Sequence, residues 1–190
     1  MQIGLFFGSF NPVHIGHMAL ANYMLEFTNL DEVWMVVSPH NPLKQKASLL
    51  NQHQRLDLVN LAIDDHPHIK SSNIEFSLPQ PSYTINTLVH LQEKYPQHQF
   101  SLIMGQDNLG SFHKWKNYEE ILKNYKILVY PRPNCPASQF DTHSNVTITQ
   151  APLMEISSTF IRNAIREKID LRYFLPYKVW LEIDEMNYYR

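Results

Sequence analysis

Short apolar blocks alternate along this chain with stretches in which apolar residues recur every three or four positions. The first block, Gln2-Ile3-Gly4-Leu5-Phe6-Phe7, predicts a short, buried parallel strand. Met18, Ala19, Leu20, Met24 and Leu25 then favour a helix. Glu32 to Ser38 predicts a second buried strand, and Pro39 to Lys46, with two prolines, a loop. Gln52 to Asp64 reads as a helix with Leu56, Val59 and Ile63 on one face and Leu58 and Ala62 beside it. Ile69 to Phe76 is a more polar strand, expected nearer an edge. After the loop Pro79 to Ser82, Ser82 is placed to cap a helix through Ile85, Leu88 and Leu91 to about Lys94. Gln99 to Gly105 predicts a central strand, followed by a short helix from Gln106 and a second helical piece around Tyr118 to Leu122. Lys126 to Tyr130 is a further strand, and the Pro/Ser/Asn-rich segment 131–145 predicts a mobile loop before a last strand, Val146 to Gln150. Ser157 is expected to cap one helix, and a final helix starts near Pro176 at its first position, running through Val179, Ile183 and Met186.

This alternation predicts an α/β fold, a doubly wound, mostly parallel sheet with helices on both faces. No repeat, low-complexity tract or linker divides the chain. Residues 1–190 read as a single domain, with 157–190 forming a smaller helical part packed on it.

The first strand–helix corner is unusual in composition: Gly8-Ser9-Phe10-Asn11-Pro12-Val13-His14-Ile15-Gly16-His17. In an open α/β sheet, phosphate-bearing ligands bind outside the carboxyl end of a strand, facing the free N–H groups of a helix start. Gly8 permits close backbone approach to a ligand or a positive φ. Asn11 and Pro12 end the strand, and Pro12 fixes φ for the turn. His14 and His17 are three apart and share a helix face, while Gly16 leaves room for a flat base or a phosphate. Two imidazoles beside the positive end of a helix favour an anion between them.

The bulk properties narrow the choice of ligand. A net charge of −2 leaves no nucleic-acid footprint. Cys135 is the only cysteine, so neither an intramolecular disulfide nor a cysteine zinc cluster is possible, and a reducing cytoplasm fits. No HExxH or comparable metal spacing occurs among the ten histidines. No apolar run approaches the roughly 20 residues that span a bilayer. Met1-Gln2-Ile3-Gly4 enters the first strand directly, so no signal peptide is expected.

Gly8-x-Phe10-x-Pro12-x-His14-x-Gly16-His17 resembles the HxGH signature of the nucleotidyltransferase superfamily that includes class I aminoacyl-tRNA synthetases. Ile156-Ser157-Ser158-Thr159-Phe160-Ile161-Arg162, about 140 residues further on, is similar to the ISSTxxR motif of adenylyltransferases. Within that superfamily the chain most resembles the bacterial nicotinate-mononucleotide adenylyltransferases, over nearly its whole length. Tyr83-Thr84 with Thr87-Leu88, Gly105-x-Asp107 with Trp115-Lys116, Arg132-Pro133, and Tyr173-Phe174-Leu175-Pro176-x-x-Val179 carry that finer likeness.

The resemblance implies a Rossmann-like fold and the transfer of AMP from ATP, with Mg²⁺ on the triphosphate, to nicotinate mononucleotide. His14, His17 and Arg162 would be the catalytic residues. Gly8, Ser9, Phe10, Gly16, Gly105, Asp107, Ile156, Ser157, Ser158 and Thr159 would complete the ATP site. Lys44, Arg55, Tyr83, Thr84, Trp115, Lys116 and Arg132 would hold the mononucleotide. Trp115 would stack on the pyridine ring. The Thr84 hydroxyl and the Lys116 N–H are donors suited to a carboxylate, whereas a carboxamide would also want an acceptor. Both partners would be small molecules, with no nucleic acid and no membrane. Two departures stand out. Asn11 occupies a position where the family often has Asp, and Pro42-Leu43-Lys44 lacks a histidine of the family pattern, which leaves His40 as a substitute and Lys46 as a competitor of Lys44. Phosphopantetheine adenylyltransferase is the alternative with the same chemistry, and a non-catalytic nucleotide sensor is the alternative of a different class. An RNA-binding synthetase fragment would need a KMSKS-like loop and an anticodon domain, and neither is found.

Overall fold

The computed structural model describes residues 1–39 and 49–190. Six strands form one sheet: β1 (Gln2–Gly8), β2 (Glu32–Val37), β3 (Ile69–Ser72), β4 (Gln99–Gly105), β5 (Lys126–Tyr130) and β6 (Val146–Ile148). Their order is β3-β2-β1-β4-β5-β6, and every neighbouring pair is parallel. This is the doubly wound order in which the chain reverses direction across the sheet between β1 and β4. The helices are α1 (Ile15–Phe27), α2 (Gln52–Ile63), α3 (Thr84–Lys94), α4 (Gln106–Gly110), α5 (Tyr118–Asn124), α6 (Ser158–Arg166) and α7 (Tyr177–Glu185).

The two faces of the sheet are buried by different helices. Phe6 and Met35 share one core with Leu20 and Met24 of α1, Leu58 of α2, Ile161 of α6 and Val179 of α7. Ile3 and Leu5 share the other with Leu88 of α3, Leu109 of α4 and Ile121 of α5. Alternate residues of β1 therefore feed opposite cores, as its apolar run requires. The two C-terminal helices bury their apolar stripe in the first of these cores.

Five local expectations change. The segment 69–76 is not one strand: pairing ends at Ser72, and Ile74–Ser77 is a 3-10 turn. Its Glu75 is buried and accepts hydrogen bonds from the hydroxyls of Thr87 (2.8 Å) and Ser82 (3.2 Å). Ser82 is thereby spent on Glu75, and Tyr83 is the residue preceding α3. The last strand stops at Ile148, and Pro176 precedes α7 instead of beginning it. Segment 131–145 is pinned by the core: Phe140 is buried against Phe112, and the Ser138 hydroxyl donates to the Leu109 carbonyl (3.3 Å).

In a parallel sheet every strand-to-helix connection lies at the carboxyl edge. The turn after β1, the start of α2, the N-terminus of α3, the segment after β4, Arg132 after β5 and the approach to α6 are all such connections. The described residues expected to bind ATP or the mononucleotide therefore belong to one edge of the sheet, and the β1/β4 crevice is its centre.

Candidate active site

β1 ends at Gly8, and the next residues form a tight turn with a cis Asn11–Pro12 peptide. Phe10 has φ 43°, in the left-handed region, and its ring is 1 % exposed. Such a conformation costs on the order of 1–3 kcal/mol, which burial of a phenylalanine ring, about 1.5–3 kcal/mol, offsets. The ring lies against Gly8, where a Cβ would come within 2.7 Å of its Cζ. Gly8 thus makes room for Phe10 and not for a ligand, and it is Phe10, not glycine, that takes the positive φ. The Phe10 side chain is core; only the backbone of this residue is left for a nucleotide.

His14 precedes α1, and its carbonyl accepts from the N–H groups of His17 (2.9 Å) and Met18 (3.3 Å). The N–H groups of Ile15 and Gly16 lie ahead of these first bonds of the helix. The imidazoles of His14 and His17 stack, with centroids 3.7 Å apart. The His14 N–H donates to Nδ1 of His17 (3.3 Å), which leaves His17 to carry its proton on Nε2 when neutral. Gly16 flanks the His14 ring: a Cβ there would stand 3.1 Å from Nδ1 and 3.7 Å from the Cβ of Ile156. His14 is buried, and its Nδ1 has no hydrogen-bond partner among the described residues. Burial first, and the positive charge of Arg132 second, bring its pKa down from 6.5 to about 4. His14 is therefore a neutral imidazole at neutral pH. It offers an anion a hydrogen bond before it offers a charge.

The second motif is joined to the first. Ser157 stands ahead of α6 in extended conformation, and its hydroxyl accepts from the Phe160 N–H (3.2 Å). The first helical bond is Ile161 N–H to the Ser157 carbonyl (3.1 Å), so the N–H groups of Ser158 and Thr159 precede it. The Ser158 hydroxyl donates to the Pro12 carbonyl (2.9 Å). From the same helix, Arg162 Nη1 donates to the Asn11 carbonyl (2.7 Å) and Nη2 to the Thr159 hydroxyl (3.2 Å). Its Nε is buried without a partner among the described residues. Burial lowers the Arg162 pKa, yet a guanidinium stays cationic at neutral pH. An unpartnered imidazole nitrogen and an unpartnered guanidinium nitrogen thus stand by one turn, with two helix starts beside it. That combination suits a polyphosphate.

Across the crevice, β4 ends at Gly105, and the exposed carboxylate of Asp107 folds over it. Arg132 Nε lies 3.8 Å from that carboxylate, Nη1 donates to the Met154 carbonyl (2.9 Å), and the guanidinium covers the Tyr130 ring at 5.2 Å. Arg132 therefore stands with Asp107 and acts on His14, beside the residues expected for ATP. A second group forms where α3 begins. The Lys116 ammonium lies 4.5 Å from the centre of the Tyr83 ring, Thr84 is the first residue of α3, and Trp115 is half-buried against Phe112. The sequence-adjacent pairs Tyr83-Thr84 and Trp115-Lys116 are thus neighbours in space.

Arg55 is not on a surface. It is fully buried and donates to the carbonyls of Leu50 (3.0 Å), Ser9 (2.5 Å), Ser38 (2.8 Å) and Pro39 (2.8 Å). It ties the ends of β1 and β2 to the start of α2, which does not fit direct contact with a mononucleotide. Lys44, with His40 and Lys46, lies outside the described residues.

Residues 5–164 match the profile of the cytidylyltransferase-like family. A protein of Flavobacterium psychrophilum named "Probable nicotinate-nucleotide adenylyltransferase" is 59 % identical over 192 residues, covering all of both chains. The chain belongs to the nicotinate-nucleotide adenylyltransferase branch of the cytidylyltransferase-like family. A Bacteroides thetaiotaomicron member of the same name is 51 % identical, over 97 % of this chain and 92 % of its own. Among solved structures, the nicotinic acid mononucleotide adenylyltransferase of Plasmodium falciparum complexed with NaAD shares the fold, with a TM-score of 0.83 over 99 % of this chain and 97 % of that one at 17 % identity. Family membership accounts for the two joined motifs. Two further residues bear on the site and carried no sequence signal: Tyr189, whose hydroxyl donates to Asn11 Oδ1 (2.8 Å), and Glu75 beneath α3. Both are found only through partners distant in sequence.

Proposed function

We propose that this nicotinate-nucleotide adenylyltransferase moves AMP from MgATP to nicotinate mononucleotide, giving nicotinate adenine dinucleotide and pyrophosphate. A phosphate oxygen of the mononucleotide attacks the α-phosphorus of ATP. The bond from that phosphorus to the α,β-bridging oxygen breaks, and pyrophosphate leaves with the bond's electrons. No covalent enzyme intermediate is required, so the protein aligns two anions and spreads the developing charge. The observation that carries this reading is the joining of the two motifs: Arg162 and Ser158 bonded to the carbonyls of Asn11 and Pro12, beside the stacked histidines.

His14 and His17 donate to the triphosphate, Arg162 forks its distal phosphates, and the N–H groups at the starts of α1 and α6 complete the cradle. Each such donor is worth roughly 3 kcal/mol in the transition state. Asp107 accepts from ribose hydroxyls. No residue of the site need hold Mg²⁺, which would come with the triphosphate on phosphate oxygens and water and would help to neutralise the transferring phosphoryl group. The described residues hold no group of three or more His, Cys, Asp or Glu to bind it otherwise. Trp115 receives the pyridine ring, and the Thr84 hydroxyl and Lys116 N–H select the carboxylate. A cytoplasmic setting fits a chain whose one cysteine, Cys135, is free.

The test is the fate of label from α-³²P-ATP. Label recovered in the dinucleotide, with unlabelled pyrophosphate released, supports adenylyl transfer. Label recovered in ADP would mean a different bond is cut.

A further inference from the structure

Residues 186–190 fold back from α7 onto the turn of the first motif. Asn187 takes φ 54° just past the helix, and the Tyr188 N–H bonds to the Ile183 carbonyl (3.0 Å). This reverses the chain direction, as a left-handed residue after a helix does. Tyr188 then accepts from Gln54 of α2 (3.3 Å), and Arg190 pairs with Asp184. Tyr189, with φ 68°, directs its hydroxyl to Asn11 Oδ1 at 2.8 Å, which also accepts from the Leu50 N–H (3.2 Å). Asn11 is 4 % exposed, and its backbone carbonyl is the acceptor for Arg162 Nη1 at 2.7 Å. One buried asparagine therefore joins three elements: its side chain is held by Tyr189 and by the start of α2, and its carbonyl holds the arginine.

We infer that Tyr189 is a positioning residue for adenylyl transfer: its hydroxyl fixes Asn11, and Asn11 fixes the guanidinium of Arg162 against the triphosphate. This rests on the reading given above. Arg162 has two hydrogen bonds among the described residues, and the shorter is to the Asn11 carbonyl. A turn free to rock would move that acceptor, and an ångström of misplacement at a transferring phosphoryl group is costly to kcat. Substrate binding at the α3 side does not pass through this contact. The effect of losing the hydroxyl therefore falls on kcat and leaves the KM for nicotinate mononucleotide in place.

The test is Tyr189→Phe, alone and combined with Arg162→Ala, in steady-state assays with nicotinate mononucleotide. Loss of one neutral hydrogen bond that acts in the transition state corresponds to a fall in kcat of about tenfold. The expected result is that fall, with the mononucleotide KM within about twofold of the unmodified enzyme. Once Arg162 is absent, removing the hydroxyl changes kcat by less than about twofold, because the two act through one contact. A kcat unchanged by Tyr189→Phe overturns the inference, and so does an equal fall in both backgrounds, which would mark general loosening of the fold. The unmodified enzyme in the same assay tests the underlying reading separately: no turnover there would overturn both.

Discussion

The imidazoles of His14 and His17 stack at 3.7 Å and 27° from parallel, and the His14 N–H donates to Nδ1 of its neighbour. Each ring thus fixes the other. His17 also meets the Phe10 ring edge-on at 5.0 Å. On the proposed reading, removing the His17 ring takes away a phosphate donor and the support of His14 together. His17→Ala should lower kcat roughly 100- to 1,000-fold, the range for a lost transition-state donor. Steady-state kinetics beside a thermal melt check this. Near-normal turnover would remove the phosphate role.

Burial of neutral His14 makes stability depend on pH. Its pKa is about 4 in the folded chain and near 6.5 when unfolded. Between those values the unfolded chain binds more protons, so stability rises with pH across this window and is lost as pH falls from about 6.5 to about 4. The full shift is worth at most about 3 kcal/mol. Urea unfolding from about pH 7 to about pH 4.5 should show this slope, and His14→Gln should flatten it. An equal slope in both proteins would assign the effect to other histidines.

Gly16 tests the geometry without removing a functional group. An alanine Cβ would lie 3.1 Å from His14 Nδ1 and 3.2 Å from Cε1, against a ring already stacked on its other neighbour. Alanine within a helix gains up to about 1 kcal/mol over glycine. Gly16→Ala should therefore change stability little while lowering kcat at least about tenfold, because the ring shifts. Parallel melts and kinetics separate the two effects. Unchanged kcat would show that His14 has room to move.

Trp115 is half-buried on Phe112 and next to Lys116, which covers Tyr83. Trp115→Ala should raise the KM for nicotinate mononucleotide about tenfold, in line with an aromatic pair of about 0.5–1.5 kcal/mol, and leave that for ATP nearly unchanged. Equal rises in both would make Trp115 a core residue only.

Much of this was legible because the signals are local. The apolar run of β1, the Asn11-Pro12 break and the Ser157 cap each lie within a few residues of what they determine. The errors fall where distant partners decide. Ile74 and Phe76 continue an alternating pattern, yet Glu75 between them is drawn into a buried bond with Thr87, and the strand ends. Arg55 looks like a surface cation in the first turn of a helix, yet four carbonyls from three loops claim it. Gly8 signalled a special turn, but the space it leaves is filled by Phe10. Tyr189 could not be found from sequence alone, since its partner Asn11 lies 178 positions away.

The most direct measurement is pyrophosphate release from MgATP, with nicotinate mononucleotide, nicotinamide mononucleotide and phosphopantetheine offered separately. Strong preference for nicotinate mononucleotide is the expected result, through donor-only recognition at Thr84 and Lys116. Equal use of acid and amide would keep the reaction and contradict that recognition. Turnover with phosphopantetheine alone, or with none of the three, would contradict the assignment itself.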